Sequence, residues 1–575
     1  MYPSVEKGAI VLSGKYHERA DYHVSNEKIS VIFNGTGAIT GYSEANVKDY
    51  ISQGFCAIHE NGKPVDVFNY KRIEMLGREQ KIEVKLNNGE LLINQFLDID
   101  TNGVFITYEI TGDDTTVDIA LMNNAIKDMK VVSFGNVRVV LENSSINIKL
   151  NKDTKVAKLL LTFDEKTAKE FNIEKFTEVY NNLRFEFEDI RLPHGLTEIE
   201  KAIFYNTYYC ALENYKNAHN FKGFMAGHKY LLPMRSYYRD SYYTVLPMYN
   251  GHTDKVREQI LTLAKGILDD GRCPSAVKFD YSPWWIGHYD SPSFFVIMLY
   301  DYIKHTKDDW FLREEVNGVK LYDLAVKVMD KLAEKEKDYN LLYKDGNYNK
   351  CDWADEVNRN GYVTYNNILY ARALKCISNM SIDWYKNSGN YERFIDKYCK
   401  VLHSLNTYLW DDEKGQYVNY RTEDFIEDNL SIDTVLAVNF GLLTGEKAER
   451  LLKNMERTLE CKNNRNIKVN NFGVACVYPL YSGVESAYNK SSQPYDYHNG
   501  ANWPYLTAMY AHAKRMYNME YRNILTDWFI QNIEKNNFTP VEYYSSICKD
   551  GSMLQAWDGC IAFVLDEKLS KNFWV

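Results

Sequence analysis

The spacing of apolar residues changes near residue 190, and this change restricts the possible folds more than any other feature of the sequence. Before it, apolar and polar residues alternate, as in residues 81–86 (KIEVKL) and again after the turn Asn87-Asn88-Gly89. Such alternation predicts strands with one buried face, and Asn-Gly favours a tight hairpin. Further strands are predicted at residues 29–33, 91–93, 104–110, 137–141, 146–150, 156–163 and 183–187. Many short strands separated by turns indicate a β-sandwich.

After Pro193 the apolar residues recur at helical spacing, as in Val256, Ile260 and Leu263 or Leu321, Leu324 and Val328. Helices are predicted at residues 196–216, 256–267 and 321–332, and from near residues 241, 291, 363, 390, 431, 446, 501, 519 and 556. About a dozen helices, some amphipathic and others apolar nearly all round, are typical of a double-layered helical barrel. A helical-repeat solenoid would need a fixed-period repeat, which the sequence does not show. We therefore expect a β-sandwich at residues 1–190 and an (α/α)6 toroid at residues 191–575.

Composition restricts the partners and the compartment. The net charge of −10 argues against a nucleic-acid partner. Uninterrupted apolar runs of the ~18 residues that a membrane helix needs are missing, and the first residues do not resemble a secretory signal. The ten cysteines are scattered without metal-site spacing. We expect a cytoplasmic protein with reduced thiols and no membrane or nucleic-acid partner, and a homo-oligomer is compatible with the sequence.

The tyrosine content allows two explanations. The chain has 46 Tyr and 10 Trp residues. An AT-rich genome raises the tyrosine count without any functional meaning. Carbohydrate binding raises it for a physical reason, because flat rings stack on the C–H faces of sugars while their polar groups bond to hydroxyls. Composition alone leaves both explanations open.

Two aromatic clusters precede the middle of the predicted toroid. Residues 235–243 (RSYYRDSYY) are either a solvated turn with Asp240 as a helix N-cap or part of a sugar subsite. Residues 281–292 (YSPWWIGHYDSP) place Trp284 and Trp285 in a loop bounded by glycine and proline, where binding residues concentrate. Asp290 can also cap a helix that begins at Ser291, and the two roles are compatible.

The most informative cluster surrounds Trp353. Residues 351–359 (CDWADEVNR) carry three acids beside this indole and lead into the apolar helix that contains Asn366. Burying these acids costs free energy, which a purely structural role does not explain. A carboxyl beside an indole and other carboxylates keeps its proton longer, as a general acid must. An exposed acidic turn is the alternative.

Two clusters near the C-terminus complete the candidate site. Residues 495–505 (YDYHNGANWPY) surround His498 with Asn499 and aromatic residues, which indicates a wall that binds hydroxyls, although a lone histidine is more often structural. Glu542 follows a proline in an aromatic context and precedes residues 550–552 (DGS) and Trp557. A surface glutamate is the alternative there.

In this order the five clusters resemble the six-hairpin glycosidases. This superfamily includes the amylo-α-1,6-glucosidase domain of glycogen-debranching enzymes, trehalases, processing α-glucosidases and mannosylglycerate hydrolases. Residues 353–355 (WAD) and 366–370 (NNILY) resemble the debranching pattern WMD followed by NALWY, and residues 355–359 (DEVNR) are similar to DNSPR of the processing glucosidases. Residues 497–504 (YHNGANWP) resemble YHNGSVWP. The resemblance covers about residues 195–570; the Arg-Phe segment of trehalases and the proline of DNSPR are absent.

The resemblance implies an inverting glycoside hydrolase that acts on an α-linked glucoside or a related oligosaccharide. It implies Asp355 as the general acid and Glu542 as the general base, with no metal ion or other cofactor. We also expect Tyr or Trp side chains to donate hydrogen bonds to Glu542. Substrate contacts are expected from Tyr238, Arg239, Asp240, Trp284, Trp285, Asp290, Asp352, Trp353, Glu356, Asn366, His498, Asn499, Trp503 and Trp557.

Four alternatives remain open at this point. An α-L-rhamnosidase would fit the same architecture, with Glu356 as the acid. A glycoside phosphorylase would replace base and water by an anion pocket. A non-catalytic carbohydrate-binding protein would keep only the aromatic walls, and a helical-barrel polysaccharide lyase would use Tyr and His as base and acid.

Overall fold

The computed structural model describes residues 4–13, 20–66, 68, 70–142, 144–345, 351–467, 469, 472–481, 493–547 and 550–574, with the backbone alone at residues 184–189. The chain packs into two compact units. The first comprises Met1–Met234, Phe529–Pro540 and Met553–Ala556, and the second Arg235–Trp528, Val541–Ser552 and Trp557–Val575. A boundary at residue 190 remains a prediction.

The first unit is built mainly from antiparallel strands. They are β1 Ser4–Glu6, β2 Ala9–Ser13, β3 Tyr22–Ser25, β4 Ile29–Phe33, β5 Ile39–Glu44, β6 Lys48–Ile51, β7 Gly54–Glu60, β8 Lys63–Pro64, β9 Tyr70–Leu76, β10 Glu79–Leu86, β11 Gly89–Phe96, β12 Val104–Ile110, β13 Val117–Asn123, β14 Lys130–Phe134, β15 Arg138–Glu142, β16 Ser145–Leu150, β17 Val156–Thr162, β18 Tyr215–Ala218 and β19 Phe221–Phe224. An eight-stranded sheet has the order β1-β2-β9-β10-β11-β12-β17-β14, and a five-stranded sheet the order β15-β16-β13-β7-β8. A four-stranded sheet has the order β3-β4-β5-β6, and β18 pairs with β19.

The strand predictions for this unit are confirmed with one exception. The predicted hairpin is formed by β10 and β11, which pair from Glu79–Phe96 to Leu86–Gly89. The predicted strand at 183–187 is wrong, because these residues lie in a helix, Ile173–Asp189. Phe176, Val179 and Leu183 recur at helical spacing and join a buried cluster with side chains of β11, β12, β14 and β17. The helical spacing of these apolar residues therefore determines the structure of the segment, despite the local alternation at residues 183–187.

Helices occupy much of the remaining chain. They are α1 Glu165–Glu170, α2 Ile173–Asp189, α3 Glu198–Glu213, α4 Tyr238–Val245, α5 Thr253–Lys265, α6 Ser291–Thr306, α7 Leu321–Ala333, α8 Thr364–Asn379, α9 Ser388–Thr407, α10 Leu436–Asn439, α11 Gly445–Thr458, α12 Pro504–Met516, α13 Arg522–Glu534, α14 Gly559–Leu565 and α15 Glu567–Ser570. The predicted helical segments are all found, those near 431 and 556 as 3-10 turns that lead into α10 and α14.

Helix α8 is buried on almost every side, whereas α5, α7 and α11 each bury one stripe of apolar residues. This difference is the one expected between inner and outer helices. Within the described part of the chain, none of the helices is long and apolar enough to span a membrane.

Short antiparallel strands lie between the helices of the second unit. They are β20 Arg235–Tyr237, β21 Pro274–Lys278, β22 Pro283–Ile286, β23 Glu315–Val316, β24 Val319–Lys320, β25 Tyr362–Val363, β26 Trp410–Asp411, β27 Gln416–Tyr417, β28 Tyr420–Arg421, β29 Ile426–Glu427, β30 Leu430–Ser431 and β31 Val477–Tyr478. Strands β20, β21 and β22 form one small sheet. This sheet places residues 235–237 beside Trp284, and so joins the first two sequence clusters.

Candidate active site

The loop that carries Asp355 is held by a buried ion-pair network. Arg359 donates from Nη2 to Oδ1 of Asp352 at 2.6 Å and from Nη1 to Oδ2 of Asp433 at 2.8 Å. The three side chains are at most 4% exposed. One guanidinium that neutralises two buried carboxylates makes the position of each strongly dependent on the others. The loop is therefore fixed on both sides of Asp355.

Further hydrogen bonds fix the neighbours of this network. Trp353 donates from Nε1 to Oδ2 of Asp433 at 2.6 Å, and Asn366 donates from Nδ2 to Oδ2 of Asp352 at 3.2 Å. Asn366 lies in the first turn of α8, so the buried helix supplies a rigid support for the loop. Asp352, Trp353 and Asn366 thus fix the polypeptide on the N-terminal side of Asp355.

His498 lies next to the candidate acid. Its Nδ1 is 3.9 Å from Oδ1 of Asp355 and accepts the backbone N–H of Glu356 at 3.4 Å. Because Nδ1 accepts a hydrogen bond, the proton of a neutral ring would be on Nε2. The imidazole is buried and stacks on Trp503, with ring centroids 4.8 Å apart. Asp355 therefore faces a buried, aromatic surface.

Aromatic rings connect this loop to the segment that carries Glu542. Trp353 lies edge-on to His498 at 5.1 Å and to Trp503 at 5.5 Å. Trp503 in turn stacks on Tyr543 at 5.3 Å and contacts Trp557 at 5.7 Å. Because Tyr543 directly follows Glu542, this aromatic cluster links both candidate catalytic segments.

Glu542 is anchored through one of its two carboxyl oxygens. Ser552 donates to Oε2 from its backbone N–H and from its hydroxyl, both at 3.3 Å. Backbone bonds pair the same two segments, from Glu542 N to Ser552 O at 2.9 Å and from Gly551 N to Tyr543 O at 2.9 Å. In the described part of the chain these serine groups, rather than the expected Tyr or Trp side chains, are the donors to Glu542. The other carboxyl oxygen of Glu542, Oε1, remains available to accept a hydrogen bond.

A second charged group surrounds Arg239. Its Nη1 donates to Oδ2 of Asp290 at 2.8 Å, and its Nε lies 3.8 Å from Oδ2 of Asp240. Burial raises the pKa of Asp240 to about 6; Arg239 opposes this effect, whereas the charge of Glu542 adds to it. Burial also favours a higher pKa for Asp290, but Arg239 and His288 hold the pKa of this carboxyl below its ordinary value. Asp240 and Glu542 are thus close enough to interact electrostatically.

Tyr237 connects the small sheet to this charged group. Arg235 donates from Nε to its hydroxyl at 3.0 Å and lies 4.8 Å from the ring centroid of Trp284. Burial raises the pKa of Tyr237, and the charges of Asp240 and Asp355 contribute to the increase. The structure therefore brings the Trp284 strand, Arg239 and Asp355 into one region.

Comparison with known proteins identifies the family of the chain. Residues 209–564 match the model of the amylo-alpha-1,6-glucosidase family. The chain belongs to this family. The matched segment spans more than half of the chain and contains both Asp355 and Glu542. A search of curated protein sequences gave no match.

Solved structures extend the likeness of this amylo-α-1,6-glucosidase family member to its full length. A bacterial glucoamylase complexed with acarbose has a TM-score of 0.62 at 12% identity, over 100% of this chain and 96% of its own. A rhamnosidase from Klebsiella oxytoca with rhamnose bound has a TM-score of 0.50 at 13% identity, over 96% and 89%. The comparisons confirm the predicted superfamily, the six-hairpin glycoside hydrolases, and a β-rich N-terminal region followed by a helical toroid.

Several predicted site residues of this family member have other partners. Tyr238 is fully buried and donates its hydroxyl to the carbonyl oxygen of Leu263 at 2.7 Å, which is a role in the core. Asn499 accepts the backbone N–H of Tyr481 at 2.8 Å and so ties its turn to a segment 18 residues earlier. Trp285 is 38% exposed and contacts Trp284 at 5.7 Å between ring centroids, at the outer side of the small sheet.

The alternative capping roles are also decided by the geometry. The N-cap of α4 is Tyr237, so Asp240 lies within the first turn. Asp290 occupies the N-cap position of α6, but its carboxylate binds Arg239 and His288 instead of backbone N–H groups of the helix. Both acids are buried in the charged group, which supports their candidature as site residues.

Two residues of this region, Asp433 and Asp558, lie outside the predicted clusters, and Tyr237 was predicted only as part of the cluster 235–243. Asp433 and Tyr237 each contact or interact with candidate residues. Asp558 follows Trp557, is completely buried and interacts electrostatically with Glu542. An aspartate before a short helix looks like an N-cap, so no sequence signal distinguished it.

Proposed function

We propose that this protein is an inverting glycoside hydrolase that cleaves an α-linked glucoside or a related oligosaccharide. The observation that carries the proposal is the arrangement of the two carboxyls. Asp355 lies beside a buried histidine, Glu542 is anchored by Ser552, and one aromatic cluster links the two segments. Such a pair can supply an acid and a base on opposite sides of a glycosidic bond.

In this proposal Asp355 donates its proton to the glycosidic oxygen as the bond to the anomeric carbon breaks. Glu542 accepts a proton from a water molecule, whose oxygen attacks the anomeric carbon from the opposite face. Ser552 holds Oε2 of Glu542, which leaves Oε1 to accept the proton. Attack by water on the opposite face inverts the anomeric configuration, so an α-glycoside gives a β-configured product.

The choice of an α-linked glucoside rests on the family match and on the walls of the site. The family is described as amylo-alpha-1,6-glucosidase, and the similar glucoamylase was solved with acarbose. Trp284 is only partly buried and offers a ring surface for the apolar face of a pyranose, whereas Trp353, Trp503 and Trp557 are buried and pack against one another. Arg239 and Asp240 offer charged partners for its hydroxyl groups.

The charges of the site disfavour the phosphorylase alternative. A phosphate would have to approach Arg239, the guanidinium of which already binds Asp290 and lies 3.8 Å from Asp240, itself an electrostatic neighbour of Glu542. Two carboxyl groups at one cation, with a third interacting with one of them, favour a neutral ligand over an anion. A hydrolytic water is compatible with this charge distribution.

The test is hydrolysis of a panel of aryl glycosides and α-linked disaccharides, with the anomer of the released sugar followed by proton NMR. We expect α-glucosides or related α-glycosides to be cleaved with initial release of the β-anomer. Initial release of the α-anomer would exclude inversion. Cleavage of α-L-rhamnosides together with loss of activity in Glu356→Gln, but not in Asp355→Asn, would favour the rhamnosidase alternative.

We infer a reducing compartment, the cytoplasm, from the cysteines. Those in the described residues are free thiols, and all of these except Cys399 are buried. Buried thiols persist most readily where disulfide formation is disfavoured.

A further inference from the structure

Asp558 is a buried carboxyl group without an assigned role. It ends the 3-10 turn Ala556–Asp558, immediately before α14. Its residue exposure is 0%, and neither carboxyl oxygen has a hydrogen-bond partner among the described residues. Although Asp558 occupies the N-cap position of α14, its side chain makes no capping bond. Buried polar groups are almost always hydrogen-bonded, so a bound water molecule is a suitable partner for a carboxyl that finds none among the described residues.

The surroundings of Asp558 favour the protonated form of its carboxyl. Burial raises the pKa of Asp558 well above its ordinary value, and the negative charge of Glu542 raises it further. The other titratable group that interacts with it is the buried thiol of Cys560, the pKa of which is also raised. A neutral carboxyl offers one O–H donor and one carbonyl acceptor.

Trp557, the residue before Asp558, and its ring neighbour Tyr505 carry further buried polar atoms of this kind. Tyr505 and Trp557 are buried with their ring centroids 4.5 Å apart. In the part of the chain that the structure describes, neither the hydroxyl of Tyr505 nor Nε1 of Trp557 has a hydrogen-bond partner. A buried water molecule typically makes about three hydrogen bonds. These groups and Oε1 of Glu542 provide a set of that kind.

We propose that Asp558 is a second ligand of the water molecule that Glu542 activates. This inference rests on the proposed hydrolytic function and adds a residue to it. One hydrogen of the water is donated to Oε1 of Glu542, and the other to the carbonyl oxygen of Asp558. As the water oxygen bonds to the anomeric carbon, the first proton passes to Glu542 and the bond to the leaving oxygen breaks. Asp355 protonates that oxygen, and the second hydrogen remains on the new hydroxyl group.

Two substitutions separate this role from simple packing. Asp558→Asn keeps a carbonyl acceptor, whereas Asp558→Leu keeps the number and branching of side-chain heavy atoms but removes both polar atoms. We expect Asp558→Asn to retain kcat within about tenfold and Asp558→Leu to lose about 10²-fold, with KM little changed, since positioning of a reactant is worth a factor of this order. Asp558→Ala, which adds no bulk, is the second variant if the leucine variant does not fold.

Thermal unfolding provides a readout that is independent of activity. A carboxyl with a raised pKa in the folded state destabilises the fold as pH rises from its unfolded pKa towards its folded pKa. Asp558→Asn should therefore unfold at a higher temperature than the native protein at pH 7 and show a smaller difference at pH 4. A lower unfolding temperature at pH 7 would contradict the neutral, unpartnered state of this carboxyl.

The kinetic outcomes are distinguishable from failure of the proposed function. Full activity of Asp558→Leu or Asp558→Ala, with Glu542→Gln inactive, would overturn the role of Asp558 alone. Equal losses in the asparagine and leucine variants would also overturn it, because the acceptor would then be irrelevant. Full activity of Glu542→Gln would instead refute the proposed base, and with it the proposed function.

Discussion

Replacement of Gly551 by alanine tests whether the backbone next to Glu542 positions the base. A Cβ atom at Gly551 would lie 2.5 Å from Cβ of Glu542, 2.7 Å from Cδ1 of Tyr543 and 2.8 Å from the backbone N of Tyr543. Carbon atoms normally approach to about 3.5–4.0 Å, so the overlap is about 1 Å. It cannot be relieved by rotation of a flexible side chain, because backbone and Cβ atoms are involved. The segment that carries Glu542 must therefore move by about this distance.

Misplacement of a reacting group by about 1 Å lowers the rate by about 10²-fold. We expect this loss in kcat for Gly551→Ala, with KM changed much less, on the best substrate from the panel. Gly389→Ala is the matched control, since Gly389 lies in α9 and its nearest neighbour would be Asn387 Oδ1 at 3.7 Å. The control should keep its activity and gain up to about 1 kcal/mol of helix stability. A folded Gly551→Ala variant with kcat within about threefold of the native value would refute the reasoning.

Three further predictions concern the acid, its support and metal ions. Asp355→Asn should lose most activity on substrates with poor leaving groups but retain activity on glycosyl fluorides, whereas Glu542→Gln should slow the hydrolysis of both kinds. Steady-state kinetics in which Asp355→Asn loses the same activity on both kinds of substrate would contradict the role of Asp355 as the acid. Arg359→Met leaves Asp352 and Asp433 buried without their cation, so the free energy of unfolding measured in urea should fall by about 3–5 kcal/mol. An unchanged urea midpoint of unfolding would argue against the ion-pair network. Activity should survive EDTA, because two carboxyls suffice for the reaction; loss that a divalent ion restores would show that a metal is required.

The fold could be predicted where one hydrophobic period runs through a whole element. The alternation in β10 and β11, with Asn-Gly between them, left one reasonable pairing, and the apolar stripes of α5 and α7 were equally unambiguous. The segment 183–187 failed because its alternation was only local. The apolar spacing from Phe176 to Leu183 and the capping of α2 by Asn172 together determine the helix.

The candidate site was predictable only where its residues lie close together in the sequence. Trp353 and Asp355 share one short cluster, so their proximity needed no knowledge of the fold. Asp433 contacts Arg359 from 74 residues away, and no property of its surrounding sequence indicates this partner. Serine donors to Glu542 were missed for a related reason, because they reach it through the pairing of two segments. Contacts of this kind follow from tertiary structure alone.

The aromatic cluster also makes the site observable by optical spectroscopy. Trp353, Trp503 and Trp557 form a chain of neighbouring indoles, with centroid distances of 5.5 and 5.7 Å. Chromophores held this close in a fixed, chiral arrangement couple their electronic transitions. The near-ultraviolet circular dichroism of the protein should therefore contain a signal that depends on the alignment of the two catalytic segments. Separation of these segments would weaken that signal even while the far-ultraviolet spectrum of the helices stays unchanged.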